Sequence, residues 1–456
     1  MVTAGSLDIL GLEWTTFPSR DRVSATLVCN YLAMQGLTVR ERSIWDAYHE
    51  IHRVRAALLF MTNTIGAVEN IDAMRYAKRR NMLGVSLLSE GNFQGDEAYQ
   101  REMIWGWNKD RFLYEDVHMQ WSTRTRDMTL TLYPELEGRV KVSGGVGFDN
   151  YQIEKRDSIR RGFLRRHGKE RYERVIGVGC WDFGCVYPQE TRYQLSQSLL
   201  GPEQCERFRS DGLAFDRELD LMIKSNPGIL FILKEHPGST LGYLSSGITQ
   251  SAQNPNVLIL KHEEPILTCI QVSDLWMVYE STTAMEAWLL GKTTFLLNPS
   301  GREFKRDKLN EGSPSYETAQ GVQQLIDAYY AGAAIKAFDE RASKREMLVR
   351  SIIQWSDGLN HVRAGNEILD LIEQRKRESW QSENVSDRIA RFRQHAKWEL
   401  GPTFRRSKNF LGSYANKNNF SLAELAAYKK LKQSEQTAYY EKLGLSLVDL
   451  RQIRCI

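Results

Sequence analysis

The chain has 456 residues, about three times the usual domain length, so two domains with an appendage is the natural prior. Hydrophobic residues at 42% and charged residues at 26% exclude a disordered, collagenous or fibrous repeat chain. The net charge of +4 is too small to imply nucleic acid, but it is unevenly placed: residues 374–456 hold 17 Lys/Arg against 8 Asp/Glu.

Short apolar runs alternate with longer amphipathic stretches through the first 150 residues, the pattern of βαβ units on a parallel sheet. Strands are expected at Leu7 to Trp14, Thr38 to Ile44, Ala56 to Thr62, Leu83 to Leu88, Asp116 to Ser122 and Val140 to Ser143. Helices are expected at Arg22 to Gln35 and Ala67 to Arg80. After a charged stretch, Lys155 to Arg174, the pattern restarts with strands at Val175 to Cys180, Gly228 to Lys234, Val257 to Leu260, Leu275 to Val278 and Thr293 to Leu297. Between them lie a long helix within Glu203 to Lys224 and shorter ones at Pro265 to Val272 and Ala284 to Leu290. Lys344 to Gln374 reads as one or two amphipathic helices packing back across both halves. The remainder interleaves Lys/Arg with Trp380, Phe392, Trp398, Phe404, Phe410 and Tyr414 before a helical stretch, Leu422 to Tyr440.

The expected architecture is α/β: two Rossmann-like domains facing a cleft, residues 1–154 and 155–343, then crossover helices 344–374 and a basic aromatic tail 375–456. Six cysteines without a CxxC pair fit reduced thiols in a cytoplasmic protein. No apolar run approaches the ~20 residues of a membrane span, and the start lacks the basic n-region of a signal peptide.

Ligands of open α/β sheets bind at the carboxyl ends of strands, so residues just after strands carry the chemistry. Lys234-Glu235-His236-Pro237-Gly238 ends a strand with a rigid turn, where His236 can donate to a phosphate and Lys234 can add charge. The bland alternative is a charged turn with a surface His. Glu280-Ser281-Thr282-Thr283 ends another strand and opens a helix, placing hydroxyls and free N–H groups for an anion; Thr283 and Glu286 equally fit a plain capping box. Ser89-Glu90-Gly91-Asn92 puts a carboxylate at a strand tip, suited to act as general base, against the alternative of a solvated loop Glu. Glu115, Asp116 and His118 form a reserve cluster, with Asn92, on the acceptor side. The run Ser143 to Asp149 has glycines, Gly145 among them, that permit close backbone approach to a ligand or across a junction. Trp181 and Asp182 stand at the equivalent place in the second half, where they can meet a base or sugar or simply pack. No Asp-x-Asp, zinc-type helix spacing or GxSxG is present, so no metal and no resident cofactor is expected.

These strand-end motifs, Glu90-Gly91, His236-Pro237 and Ser281-Thr282 in that order on two α/β halves, resemble those of GT-B glycosyltransferases. More narrowly they resemble bacterial transferases that use CMP-activated sialic acid or Kdo in capsule and lipopolysaccharide synthesis. The segment Leu275 to Leu297 is also similar to that of UDP-GlcNAc 2-epimerases and CDP-glycerol polymerases. Leu7 to Gln374, with Trp105-Gly106-Trp107-Asn108-Lys109, resembles bacterial surface carbohydrate biosynthesis proteins. The resemblance implies a metal-independent glycosyltransferase of surface polysaccharide assembly, using a nucleotide-sugar donor, CMP-linked on the narrower resemblance, and a glycan or lipid-linked acceptor. His236, Ser281 and Thr282 would hold the donor phosphate, Glu90 would be the base, and the basic tail would rest on an anionic membrane or pack on the body. The alternatives are a UDP-sugar epimerase of the same fold and a non-catalytic assembly protein. Nucleic acid is not expected as a partner.

Overall fold

The computed structural model describes the chain except residues 1–6, 17–18, 94, 155–158, 181–182, 189–192, 237–252, 262, 304–306, 375–378 and 401–419. Two compact units result: Met1–Glu154 with Arg350–Ile456, and Lys155–Val349.

In the first unit, β1 (Ile9–Glu13), β2 (Val39–Ser43), β3 (Leu58–Thr62), β4 (Leu83–Leu87), β5 (Val117–Gln120) and β6 (Val140–Val142) form an all-parallel sheet in the order β2-β1-β3-β4-β5-β6. Its central strands are continuous apolar runs because both faces are covered; every residue of β1 and β3 is buried. The helix Arg20–Met34 starts where Ser19 accepts a hydrogen bond from the Arg22 N–H at 3.2 Å, and it packs over β1 through Leu27, Val28 and Tyr31.

The C-terminal stretch belongs to this unit's core. Tyr439, Tyr440 and Leu450 share one apolar cluster with Ile9 and Leu27, and Ile456 exchanges backbone hydrogen bonds with Val142 along the β6 edge. Much of its basic charge is paired: Lys429 with Glu41, Lys432 with Glu154 and Glu435, Arg451 with Asp370 and Glu373. His361, on the helix Asn360–Gln374, is fully buried between Asp149 (Nδ1 to Oδ2, 2.8 Å) and the Tyr440 hydroxyl (2.5 Å from Nε2).

The second unit holds β7 (Arg174–Cys180), β8 (Ile229–Lys234), β9 (Val257–Leu260), β10 (Leu275–Tyr279), β11 (Thr293–Leu297) and β12 (Ser315–Tyr316), again all parallel, in the order β12-β11-β10-β7-β8-β9. Its core is Val178, Phe231, Leu233, Met277 and Phe295 against the helices Pro202–Ser225 and Ala319–Tyr330. The capping box that Thr283 and Glu286 suggest is not formed. The helix Thr283–Leu289 has Thr282 at its cap in helical backbone, with no side-chain cap bond, and the Thr283 hydroxyl that the box would use accepts the Trp276 Nε1–H instead.

Each strand order reverses once, between β1 and β3 in the first unit and between β7 and β10 in the second. These switch points open a crevice at the strands' carboxyl ends, so topology alone marks two places for chemistry.

Candidate functional site

At the first unit's switch point stand Glu13, the last residue of β1, and Thr62, the last of β3. Glu13 is 2% exposed. One carboxylate oxygen accepts the Trp14 N–H at 2.7 Å, and the other accepts the Thr62 hydroxyl. Burial raises its pKa from 4.5 to about 7; Asp21, at the start of the helix Arg20–Met34, adds to the rise, while Arg22 opposes it. Asp21 is itself pushed up, by burial first and by Glu90 as well, with Ser89 and Arg20 pulling the other way. Two neighbouring carboxyls that resist ionising together hold a proton near neutral pH, which is the condition for general acid–base work.

Glu90 is exposed and lies 3.5 Å from Arg20 Nη1. Gly91 follows because the Trp121 ring presses on its backbone: a Cβ there would sit 2.0 Å from the ring. Trp121 is held by its Nε1–H on the Leu88 carbonyl at 2.6 Å, and the Arg20 guanidinium lies 5.8 Å from its ring centre and 4.8 Å from that of Phe148. Glu13, Arg20, Asp21, Glu90 and Trp121 thus gather polar, charged and aromatic groups at the carboxyl ends of β1, β4 and β5.

Glu115, Asp116 and His118 fall into two roles. Glu115 is buried and accepts from Thr64 (2.7 Å) and Ser86 (2.6 Å), with His118 Nδ1 at 3.2 Å. Burial alone would raise its carboxyl, but the hydrogen bonds and charge around it outweigh that and hold it at about 2. His118 is fully buried, and its Nε2 has no hydrogen-bond partner among the described residues. Asp116 pairs with Lys78 at 2.6 Å and accepts the Gly84 N–H, tying a helix to the sheet. Asn92 is buried, its side-chain amide donating to Gln100 at 3.0 Å while its backbone carbonyl accepts from Arg124. Gly145 donates its N–H to the Ile353 carbonyl at 3.1 Å, and a Cβ on it would lie 2.7 Å from the Ile353 side chain; the close approach is to the chain's own backbone.

At the second unit's switch point the turn after β10 is built around Thr283. Its hydroxyl accepts the Trp276 Nε1–H at 3.0 Å and lies 2.9 Å from Ser281 Oγ, which in turn takes the Thr283 N–H at 3.3 Å. Gly179 of β7 makes the space, since a Cβ there would stand 2.4 Å from the Thr283 hydroxyl. Glu280, buried at 6% exposure, turns the chain with φ of 42°, a left-handed conformation that costs a non-glycine residue free energy and recurs at functional turns. Ser281 and Thr282 are half-buried at the tip.

His236 is exposed at the carboxyl end of β8; Pro237, and Trp181 with Asp182 after β7, lie outside the described residues. Lys234 directs its ammonium to the Lys261 carbonyl, and burial lowers its pKa, with nearby carboxylates and Cys269 opposing. Sequence reasoning overlooked a further feature here. A cavity of 370 Å³ opens at the end of β11, lined by Asn298, Arg302, Asn310, Ser313 and Arg341 among others. Both side-chain polar atoms of Asn310 are buried there without a hydrogen-bond partner among the described residues, and Arg302 lies 3.1 Å from Asp211, whose other oxygen accepts the Tyr279 hydroxyl. Glu13 was overlooked as well: it reads as the polar end of an apolar strand, and only its strand-end position signals more.

No protein-family model matches this chain, and no curated protein matches it by sequence. Solved structures do match in fold. A candidate UDP-N-acetylglucosamine 2-epimerase from Listeria monocytogenes superposes with a TM-score of 0.53 at 8% identity, over 83% of this chain and 100% of its own. The S. aureus MnaA–UDP co-structure gives 0.51 at 11% identity, over 82% and 100%. The wall teichoic acid polymerase TagF, solved with CDPG, gives 0.51 at 11% identity, over 80% and 89%. The fold is GT-B-like, two six-stranded parallel units with their surrounding helices.

Proposed function

We propose that this chain is a sugar-nucleotide enzyme and that its reaction is epimerisation of a UDP-linked amino sugar. The observation that carries the reading is the pair of buried Glu13 and half-buried Asp21 at a switch point, both pushed above the ordinary carboxyl range and Glu13 to about 7. Inverting the carbon next to the anomeric centre balances if its C–H proton leaves as the nucleotide diphosphate departs from the anomeric carbon, forming a carbon–carbon double bond, and both then add back with the proton on the opposite face. Carboxyls that hold and release a proton near neutral pH supply that exchange. The turn Glu280 to Thr283 is assigned the nucleotide's phosphates, with His236 as a second donor. The likeness to the MnaA–UDP co-structure supports UDP as the nucleotide.

Glycosyl transfer to a glycan acceptor, with Glu90 as base and a CMP- or CDP-linked donor, is the second reading, favoured by the exposed strand-tip position of Glu90 and the likeness to TagF. A thermal-shift series with UDP, CDP and CMP tests the assignment. Bound ligand stabilises by RT ln(1 + [L]/Kd), about 2.7 kcal/mol at about 100 Kd. The first reading expects a selective response to UDP that Ser281→Ala weakens; a response to CMP or CDP alone moves the assignment to transfer, and silence across the series overturns both.

A further inference from the structure

The helix Val385–Leu400 is mounted on the first unit by its polar side. Asp387, 7% exposed, pairs with Arg79 at 2.8 Å and Arg80 at 2.5 Å. Arg391 pairs with Glu383 at 2.8 Å, and Gln394 Oε1 accepts the Tyr48 N–H at 2.8 Å. His395 Nδ1 lies 3.0 Å from Asp46, and its ring stacks on that of His49. The apolar side faces outward: Val385, Ile389, Phe392 and Leu400 are 75%, 46%, 70% and 52% exposed. At about 100° per residue these positions form one stripe, with Arg388 and Arg393 exposed on its opposite borders. A surface helix of a water-soluble fold ordinarily has the reverse arrangement, so the stripe is unexplained by the packing of the described residues of this unit.

We propose that this face docks on an anionic phospholipid surface, the helix lying in the interfacial plane with Val385, Ile389 and Phe392 among acyl chains and Arg388 and Arg393 at the phosphates. Charge selects this occupant. The next nineteen positions in the sequence, 401–419, carry four Lys/Arg and no Asp/Glu, together with Phe404, Phe410 and Tyr414. A second copy laid stripe to stripe would bring together two faces bordered by Arg388 and Arg393, with exposed Glu399 the one acid beside Arg388, and so of the same net sign. The helix Leu422–Leu443 is not part of the docking face, since Gln436, Tyr439 and Tyr440 are buried in the unit. The inference is independent of the sugar-nucleotide reading.

The test is sedimentation of the full-length protein with vesicles of phosphatidylcholine alone or mixed with phosphatidylglycerol. Wild type is expected to pellet with the anionic vesicles, to bind them less as salt rises, and to ignore pure phosphatidylcholine. The double variant Ile389→Glu, Phe392→Glu changes only exposed positions, so it should keep the wild-type melting temperature while losing about tenfold or more in vesicle affinity. Arg388→Glu with Arg393→Glu should remove the preference for phosphatidylglycerol. Equal binding by wild type and the Ile389/Phe392 variant would overturn the proposal. So would failure of wild type to bind any vesicle, or a wild-type dimer in light scattering that the variant converts to monomer, which would give the stripe to a second copy.

Discussion

Glu13→Gln should make the protein more stable at pH 8 and change it much less, by under about 1 kcal/mol, at pH 5. The folded protein keeps a proton on Glu13 up to about pH 7, whereas the unfolded chain releases it near 4.5. Between those values the folded state binds more protons, so stability falls as pH rises, and the loss is complete above about pH 7. Moving a carboxyl from 4.5 to about 7 corresponds to roughly 3 kcal/mol, part of it due to the neighbouring Asp21. Glutamine keeps the shape, its carbonyl can still accept the Trp14 N–H, and Thr62 can turn its hydroxyl to accept from the new amide. With about 2–4 °C per kcal/mol for a body of this size, and an allowance for imperfect replacement of the Thr62 bond, the melting temperature should rise by about 3–8 °C at pH 8. Thermal melts of both proteins across pH 5 to 8 read the effect. A difference that does not change with pH, or a variant less stable at pH 8, would refute the account of a protonated switch-point carboxyl.

Gly91→Ala drives a methyl into the Trp121 ring and should cost about 1–3 kcal/mol, seen as a lowered melting temperature with altered tryptophan fluorescence. Asp387→Asn leaves the buried Arg80 guanidinium short of its counter-charge and should cost up to about 3 kcal/mol, with faster hydrogen exchange confined first to Val385–Leu400. Tyr440→Phe strips His361 Nε2 of its partner in a buried site and should cost about 1–3 kcal/mol in the same melts. Ser281→Ala should weaken UDP binding about fivefold to tenfold, the value of one hydrogen bond, while loss of its bonds within the turn costs the ligand-free protein about 0.5–1.5 kcal/mol.

The sheet strands were legible because a parallel strand covered on both faces must be apolar throughout: Leu58–Thr62 and Leu275–Tyr279 announce themselves, and their helices follow by alternation. The strand Ser315–Tyr316 was not, since two residues carry no period. The helix Val385–Leu400 was hidden for the opposite reason: its protein-facing side is charged and its apolar side outward, so the usual reading of amphipathic pattern fails on it. Of the candidate residues, Glu280 to Thr283 sit at a topological switch point and Glu90 at a strand tip, as strand-end reasoning places them. Glu13 and Asp21 were invisible because their chemistry comes from being brought together, Glu13 buried and Asp21 half-buried, which depends on tertiary packing rather than on spacing in the chain. The glycines at 91, 145 and 179 show the same limit: each makes room for a side chain distant in sequence, Trp121, Ile353 or Thr283.

The central claim is that switch-point carboxyls move a proton at a sugar carbon. The direct measurement is proton NMR of UDP-N-acetylglucosamine incubated with the protein in D2O. The account predicts that the hydrogen at the epimerised carbon is replaced by deuterium without any acceptor, and that Glu13→Gln slows the exchange by about 10²-fold or more. An unexchanged substrate in the presence of folded, UDP-binding protein would contradict it.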